Sequence, residues 1–133
     1  MAPRPGLEAT FRHTVTEADT AAAVGSGEVP VLATPRALAL AERATMDAVA
    51  GALEDGATTV GTRVELDHLA PSPVGAELEV RAVLERVEGR RLVFSVALAA
   101  GDRPVAQGLL TRVVVDAAAF ARNAGPGPTA TDG

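Results

Sequence analysis

Hydrophobic and polar positions change their period twice along the chain. From Leu7 to Val15 the sequence LEATFRHTV mixes β-branched and polar residues in the manner of a first strand. Residues 17–33 carry Gly25-Ser26-Gly27 and Pro30 among small side chains, which predicts a loop or a broken helix. Thr34-Pro35 then opens a helical pattern. The threonine fits an N-cap, and a proline at the first helical position gives up no intrahelical bond. The helix is expected to run to about Leu53 and to stop at Glu54-Asp55-Gly56. Beyond it, strict alternation predicts strands near 59–69, 74–87, 91–100 and 104–115. Their breaks are Pro71-Ser72-Pro73, Glu88-Gly89 and Gly101-Asp102-Arg103, each short enough to join antiparallel neighbours, so the four strands are expected to form a meander.

A strand, one long helix and four antiparallel strands make an α+β order in which a curved sheet can wrap the helix. That is the hotdog arrangement. One such domain is expected over residues 1–122, followed by a disordered tail over 123–133 that is mostly Gly, Pro, Ala and Thr. A single sheet-and-helix unit leaves a sheet edge or a helix flank uncovered, and pairing with a second copy would cover it; a homodimer is expected.

Three polar residues interrupt otherwise apolar faces. On a helical wheel Leu38, Val49, Glu42, Leu53 and Met46 share a stripe about 80° wide, with Glu42 in its middle, while Arg36, Arg43, Asp47 and Glu54 lie opposite. Along 59–69, alternation puts Val60, Thr62, Val64, Leu66 and His68 on one face. In the last strand Ala106, Gly108, Leu110, Arg112 and Val114 form one set, placing a guanidinium among small and apolar residues. Arg112 needs a partner, either Glu42 in a structural ion pair or a substrate. The sets Val74, Leu78, Val80, Leu84 and Leu92, Phe94, Val96, Leu98 are unbroken and read as structural, and His13 looks ordinary. Three inward polar groups from separate elements are most simply explained by one shared site. Thr34 adds a hydroxyl at a helix N-terminus, where the dipole favours developing negative charge.

Composition narrows the chemistry. The chain has no Cys, Trp or Tyr, and all 12 of its basic residues are Arg. Thiolate nucleophiles, disulfides, cysteine zinc sites and lysine Schiff bases are therefore excluded. Two histidines far apart in the sequence suggest no metal site, and no cofactor is implied. A net charge of -5 without a basic run argues against nucleic acid. The N-terminus lacks a signal-peptide pattern and no stretch suits a membrane span, so a cytoplasmic location is expected.

Val31-Leu32-Ala33-Thr34, Glu42 eight residues later, Val60-Gly61-Thr62 leading to His68, Val87-Glu88-Gly89-Arg90-Arg91-Leu92, and Arg112 together resemble the fluoroacetyl-CoA thioesterase family over roughly residues 7–122. The resemblance implies a hotdog enzyme acting on an acyl-CoA, with Thr34, Glu42 and His68 as the catalytic constellation. It also implies that Gly61 and Arg112 help to place the acyl group. In the fluoroacetyl enzyme, aromatic residues before the catalytic Thr form a lid, whereas residues 21–30 here contain no Phe. Hydrolysis of a short acyl-CoA without strict fluoroacetyl selectivity is therefore expected. A non-catalytic acyl-CoA-binding module and an enoyl-CoA hydratase are the alternatives.

Overall fold

The computed structural model describes residues 2–126. Five strands, β1 (Glu8–Thr14), β2 (Ala57–His68), β3 (Glu77–Glu88), β4 (Arg91–Ala100) and β5 (Arg103–Asp116), form one antiparallel sheet. The helices are a single turn, α1 (Ala21–Val24), the long α2 (Thr34–Val49) and a terminal α3 (Ala117–Asn123). A 3-10 turn over Ala50–Ala52 extends α2 toward the expected stop, and Gly56 takes a φ of 82° that suits glycine. The expected tail falls chiefly outside the described residues. Among the described residues, no helix is long and apolar enough to cross a membrane.

The strand order is β1-β3-β4-β5-β2. Only β3, β4 and β5 form a meander. β2 pairs with β5, not with β3, so the Pro71-Ser72-Pro73 link crosses from one edge of the sheet toward the other instead of making a hairpin. Sequence alternation identifies strands but carries no information about which ones pair. The crossing is tied to the segment before α2: Leu32 N–H donates to Ser72 O at 2.8 Å, and Val31 bridges to Pro73. The strand expected from residue 74 starts at Glu77, because Gly75 turns the chain and leaves Val74 exposed.

α2 lies on β1, β3 and β4. Its buried face is Ala37, Leu40, Ala41, Ala44, Thr45, Ala48 and Val49, and this corrects the stripe expected from the sequence. Alanines, which weigh little in a hydropathy pattern, let the helix approach the sheet closely. The larger Met46 turns outward, 46% exposed, and Glu42 stands at the border of the buried face. Below the helix, Leu78, Val80, Ala82 and Leu84 of β3 and Leu92, Phe94, Val96 and Leu98 of β4 form the core.

Candidate active site

Along β2 the simple alternation fails. A bulge between Gly61 and Arg63 shifts the register against β5, so the residues facing the helix side are Thr59 and Gly61 before it, then Val64, Leu66 and His68 after it. Val60 and Thr62 do not share the face of His68 as expected. One inserted residue reverses which side chains point inward, and nothing but the presence of a glycine marks the place in the sequence.

Gly61 is there because of what lies over it. A Cβ at this position would come within 2.9 Å of Glu42 Oε2 and 3.6 Å of an Arg112 nitrogen. The close approach admits no side chain without moving the carboxylate. Arg112, 5% exposed, is fully engaged: Nε donates to Thr59 Oγ1 at 2.8 Å, one terminal nitrogen to Thr59 O at 2.8 Å and the other to Glu42 Oε2 at 3.1 Å. The planar guanidinium spans strand and helix and fixes the Glu42 carboxylate by one oxygen. Of the two roles open to Arg112, the geometry shows the ion pair with Glu42.

Thr34 is not the N-cap. Ala33 occupies that position without a side-chain cap, and Thr34 is the first helical residue, with Pro35 following. Its hydroxyl is used elsewhere: Thr34 Oγ1 and His68 Nδ1 form a hydrogen bond of 2.8 Å. The crossing link explains why they meet. Leaving β2 at His68, the chain runs along Val31 and Leu32 just before α2 starts. His68 Nε2 is buried and has no hydrogen-bond partner among the described residues. A buried ring nitrogen left unpaired costs about 1–3 kcal/mol, which a substrate group could recover. Thr34 and His68 open on a cleft of about 330 Å³ walled by Glu28, Val29, Val31 and Leu69.

The sequence-derived residues thus fall into two pairs, Thr34 with His68 and Glu42 with Arg112 over Gly61. Eight residues of helix separate Thr34 from Glu42, a rise of about 12 Å. Asp19, which the sequence did not single out, is the most engaged buried carboxylate. Oδ2 accepts from the Thr16 amide at 2.8 Å and hydrogen-bonds His13 Nε2 at 2.7 Å, and Oδ1 accepts from Arg36 Nε at 2.9 Å. Burial acts to raise its pKa, but the bonds from Thr16, His13 and Arg36 outweigh it and hold the group well below its ordinary value of 3.8. His13 is therefore a partner in a buried network. Its one signal in the sequence was an acid at Asp19 following Thr16 by three residues, the spacing of a capping box.

Comparison with known proteins identifies the family and the fold. The family model for the fluoroacetyl-CoA-specific thioesterase matches residues 15–118. The fluoroacetyl-CoA thioesterase of Streptantibioticus cattleyicolor is 36% identical over 107 residues, spanning 80% of this chain and 73% of that protein. A solved structure of a fluoroacetyl-CoA thioesterase superposes with a TM-score of 0.88 at 30% identity, over 96% of this chain and all of the other. A variant of that enzyme in complex with fluoroacetate and CoA gives a TM-score of 0.83 at 30% identity, over 89% and 99% of the two chains. A thioesterase superfamily member from Thermus thermophilus gives 0.84 at 29% identity, over 92% of both. The fold is the hotdog fold, and the chain belongs to the fluoroacetyl-CoA-specific thioesterase family.

Proposed function

We propose that this protein hydrolyses a short acyl-CoA to the free acid and CoA, using Thr34, His68 and Glu42, without strict selectivity for fluoroacetyl. The observation that carries the reading is the Thr34–His68 hydrogen bond with Nε2 left buried and unpaired beside a cleft. The presence of CoA and fluoroacetate in a relative's crystal structure supports the substrate class.

The thioester carbonyl lies between the two pairs. With Thr34 donating to Nδ1, His68 carries its ring hydrogen on Nε2 and offers it to the oxyanion that forms as the carbonyl is attacked. Glu42, held by Arg112 through one oxygen, uses the other to take a proton from the attacking water. Collapse of the tetrahedral species expels CoA thiolate, which takes that proton back from Glu42 and leaves as the thiol. Gly61 contributes the clearance that lets Glu42 sit where it does. The acyl group enters a cleft whose wall over residues 22–30 is exposed and free of aromatic side chains, so longer chains than acetyl fit.

The functional unit is a homodimer. β2 is an edge strand that pairs only with β5, and Met46, Val64 and Leu69 are exposed on its side of the molecule, an arrangement a second copy would cover. Light scattering should return about twice the 13.4 kDa chain mass. An active monomer at micromolar concentration removes the dimer.

The test of the activity is a panel of saturated and enoyl-CoA substrates with free thiol and enoyl absorbance followed in parallel. Thiol release from saturated substrates is the expected result. Loss of enoyl absorbance without thiol would make the protein a hydratase, and binding without either change would make it a ligand-binding module.

A further inference from the structure

The first turn of α2 carries Thr34 and has no side chain capping it. Ala33 cannot accept a hydrogen bond through its side chain, and Pro35 removes one amide donor. What holds the turn is Asp19, in a 3-10 turn over Glu17–Asp19 and only 3% exposed. Its backbone carbonyl accepts from Ala33 N–H at 2.8 Å, one residue before Thr34. Its Oδ1 accepts from Arg36 Nε at 2.9 Å, two residues after Thr34. Its Oδ2 is tied to β1 through His13 and to the preceding turn through Thr16. Both flanks of Thr34 are thereby fastened to one buried residue whose side-chain hydrogen bonds, among the described residues, go to His13, Thr16 and Arg36 and to neither Thr34 nor His68.

Asp19 also stands at the foot of the cleft wall. Just after it, Thr20 bridges to Leu32 and Ala21 N–H donates to Val31 O at 2.9 Å, closing residues 21–31 into a loop with adjacent ends. That loop supplies Glu28 and Val29 to the cleft. One residue therefore sets the start of the helix and the base of the loop relative to each other.

We infer that Asp19 is a positioning residue for Thr34. It fixes the first turn of α2 so that the Thr34 hydroxyl meets His68 Nδ1, and through that bond it sets the orientation of the imidazole ring. The kinetic part of this inference rests on the thioesterase reading; the structural part does not. Misplacement of a catalytic group by about 1 Å can cost up to a hundredfold, so a lost clamp should appear in turnover well before it appears in substrate binding.

Two measurements decide it. Turnover is compared for the wild type, Asp19→Asn, Thr34→Ala and the double variant. Asp19→Asn should lower kcat about tenfold or more with KM within about twofold, yet cost less than about twofold once Thr34 is already Ala. Its effect on Tm should be the same in both backgrounds, since that part is structural. Arg36→Gln, which removes one arm of the clamp from a half-exposed position, should repeat the pattern at smaller amplitude and serves if Asp19→Asn does not fold. In parallel, the His68 ring nitrogen-15 shifts, assigned with the His68→Ala variant, should move in Asp19→Asn or Arg36→Gln toward their values in Thr34→Ala. Equal kcat losses in both backgrounds, or a lowered Tm with kcat and the His68 signals unmoved, would overturn the inference. A wild type that releases no thiol from any acyl-CoA would sink the thioesterase reading while the nitrogen shifts still decide whether Asp19 holds Thr34 against His68.

Discussion

The two halves of the sheet face the helix side with different side chains. Under α2, β3 and β4 present Leu78, Val80, Ala82, Leu84, Leu92, Phe94, Val96 and Leu98, all buried and all apolar. Beside it, β2 and β5 present Thr59, Gly61, Val64, Leu66 and His68 against Gly108, Leu110 and Arg112. The covered half keeps its alternation through the core and bulges at the edge of it, between Leu84 and Arg86; the uncovered half carries its bulge at Gly61, inside the face that meets Glu42, together with two glycines and the polar groups Thr59, His68 and Arg112. At Gly108 the strands run so close that a side chain would collide with the Glu65 and Leu66 backbone. The apolar core is concentrated under the helix and the proposed chemistry along its border with β2 and β5, because a buried polar group is tolerable only with a partner and reactive only with access.

The comparison is broken most directly by removing its chemical residues. Glu42→Gln and His68→Ala should each lower turnover by at least about a hundredfold, the scale of a lost general acid or base, with little change in Tm. In the other half, Phe94→Ala should destabilise the fold by about 3–5 kcal/mol and leave turnover per folded molecule within about twofold. Denaturant titration beside the activity assay checks both. A stability loss at Glu42→Gln as large as that at Phe94→Ala would erase the distinction.

Gly61→Ala sharpens it. The added methyl group must push the Glu42 carboxylate aside, so turnover should fall about tenfold while the unfolding midpoint moves little. Full activity in this variant would show that the Glu42 position is not critical.

How much of this could be seen in the sequence depended on what each pattern measures. Alternation located β4 to the residue and the core set Leu92, Phe94, Val96 and Leu98, because a fully covered strand repeats without interruption. It misplaced Val60 and Thr62 because the bulge after Gly61 changes phase without leaving a run of unusual residues. The helix was legible from Thr34-Pro35, but its buried face was not, since the alanines at 37, 41, 44 and 48 count for little beside Leu38 and Met46. Glu42, His68 and Arg112 stand out in the sequence as polar groups on apolar faces, and Glu42 is one of the two partners the pattern offers Arg112. The Thr34–His68 bond depends on the crossing link and the β2–β5 pairing, which are long-range facts. Asp19 was missed because an acid in a loop is ordinary until its three partners converge.

Smaller effects follow from Asp19 and from the cleft. Its folded pKa is depressed, so its contribution to stability is complete above the ordinary value of 3.8 and is lost as pH falls toward the depressed one. Tm should hold steady from pH 7 to about pH 5 and decline below about pH 4. Asp19→Asn should start lower at pH 7 and decline less; parallel curves would assign acid sensitivity to other carboxylates. Lengthening the acyl chain beyond acetyl should raise the specificity constant several-fold per carbon until the cleft is filled, since each buried methylene contributes about 0.8 kcal/mol. A preference of a thousandfold or more for fluoroacetyl-CoA over acetyl-CoA would contradict the open cleft.

The central claim is that two separated pairs, Thr34 with His68 and Glu42 with Arg112, serve one thioester. Thiol release by Glu42→Gln, His68→Ala and the double variant tests it most directly. Groups acting on one transition state are not independent, so the double variant should be little slower than the slower single one. Losses that multiply to about ten thousandfold, in proteins of unchanged Tm, would mean that the two residues do not act together.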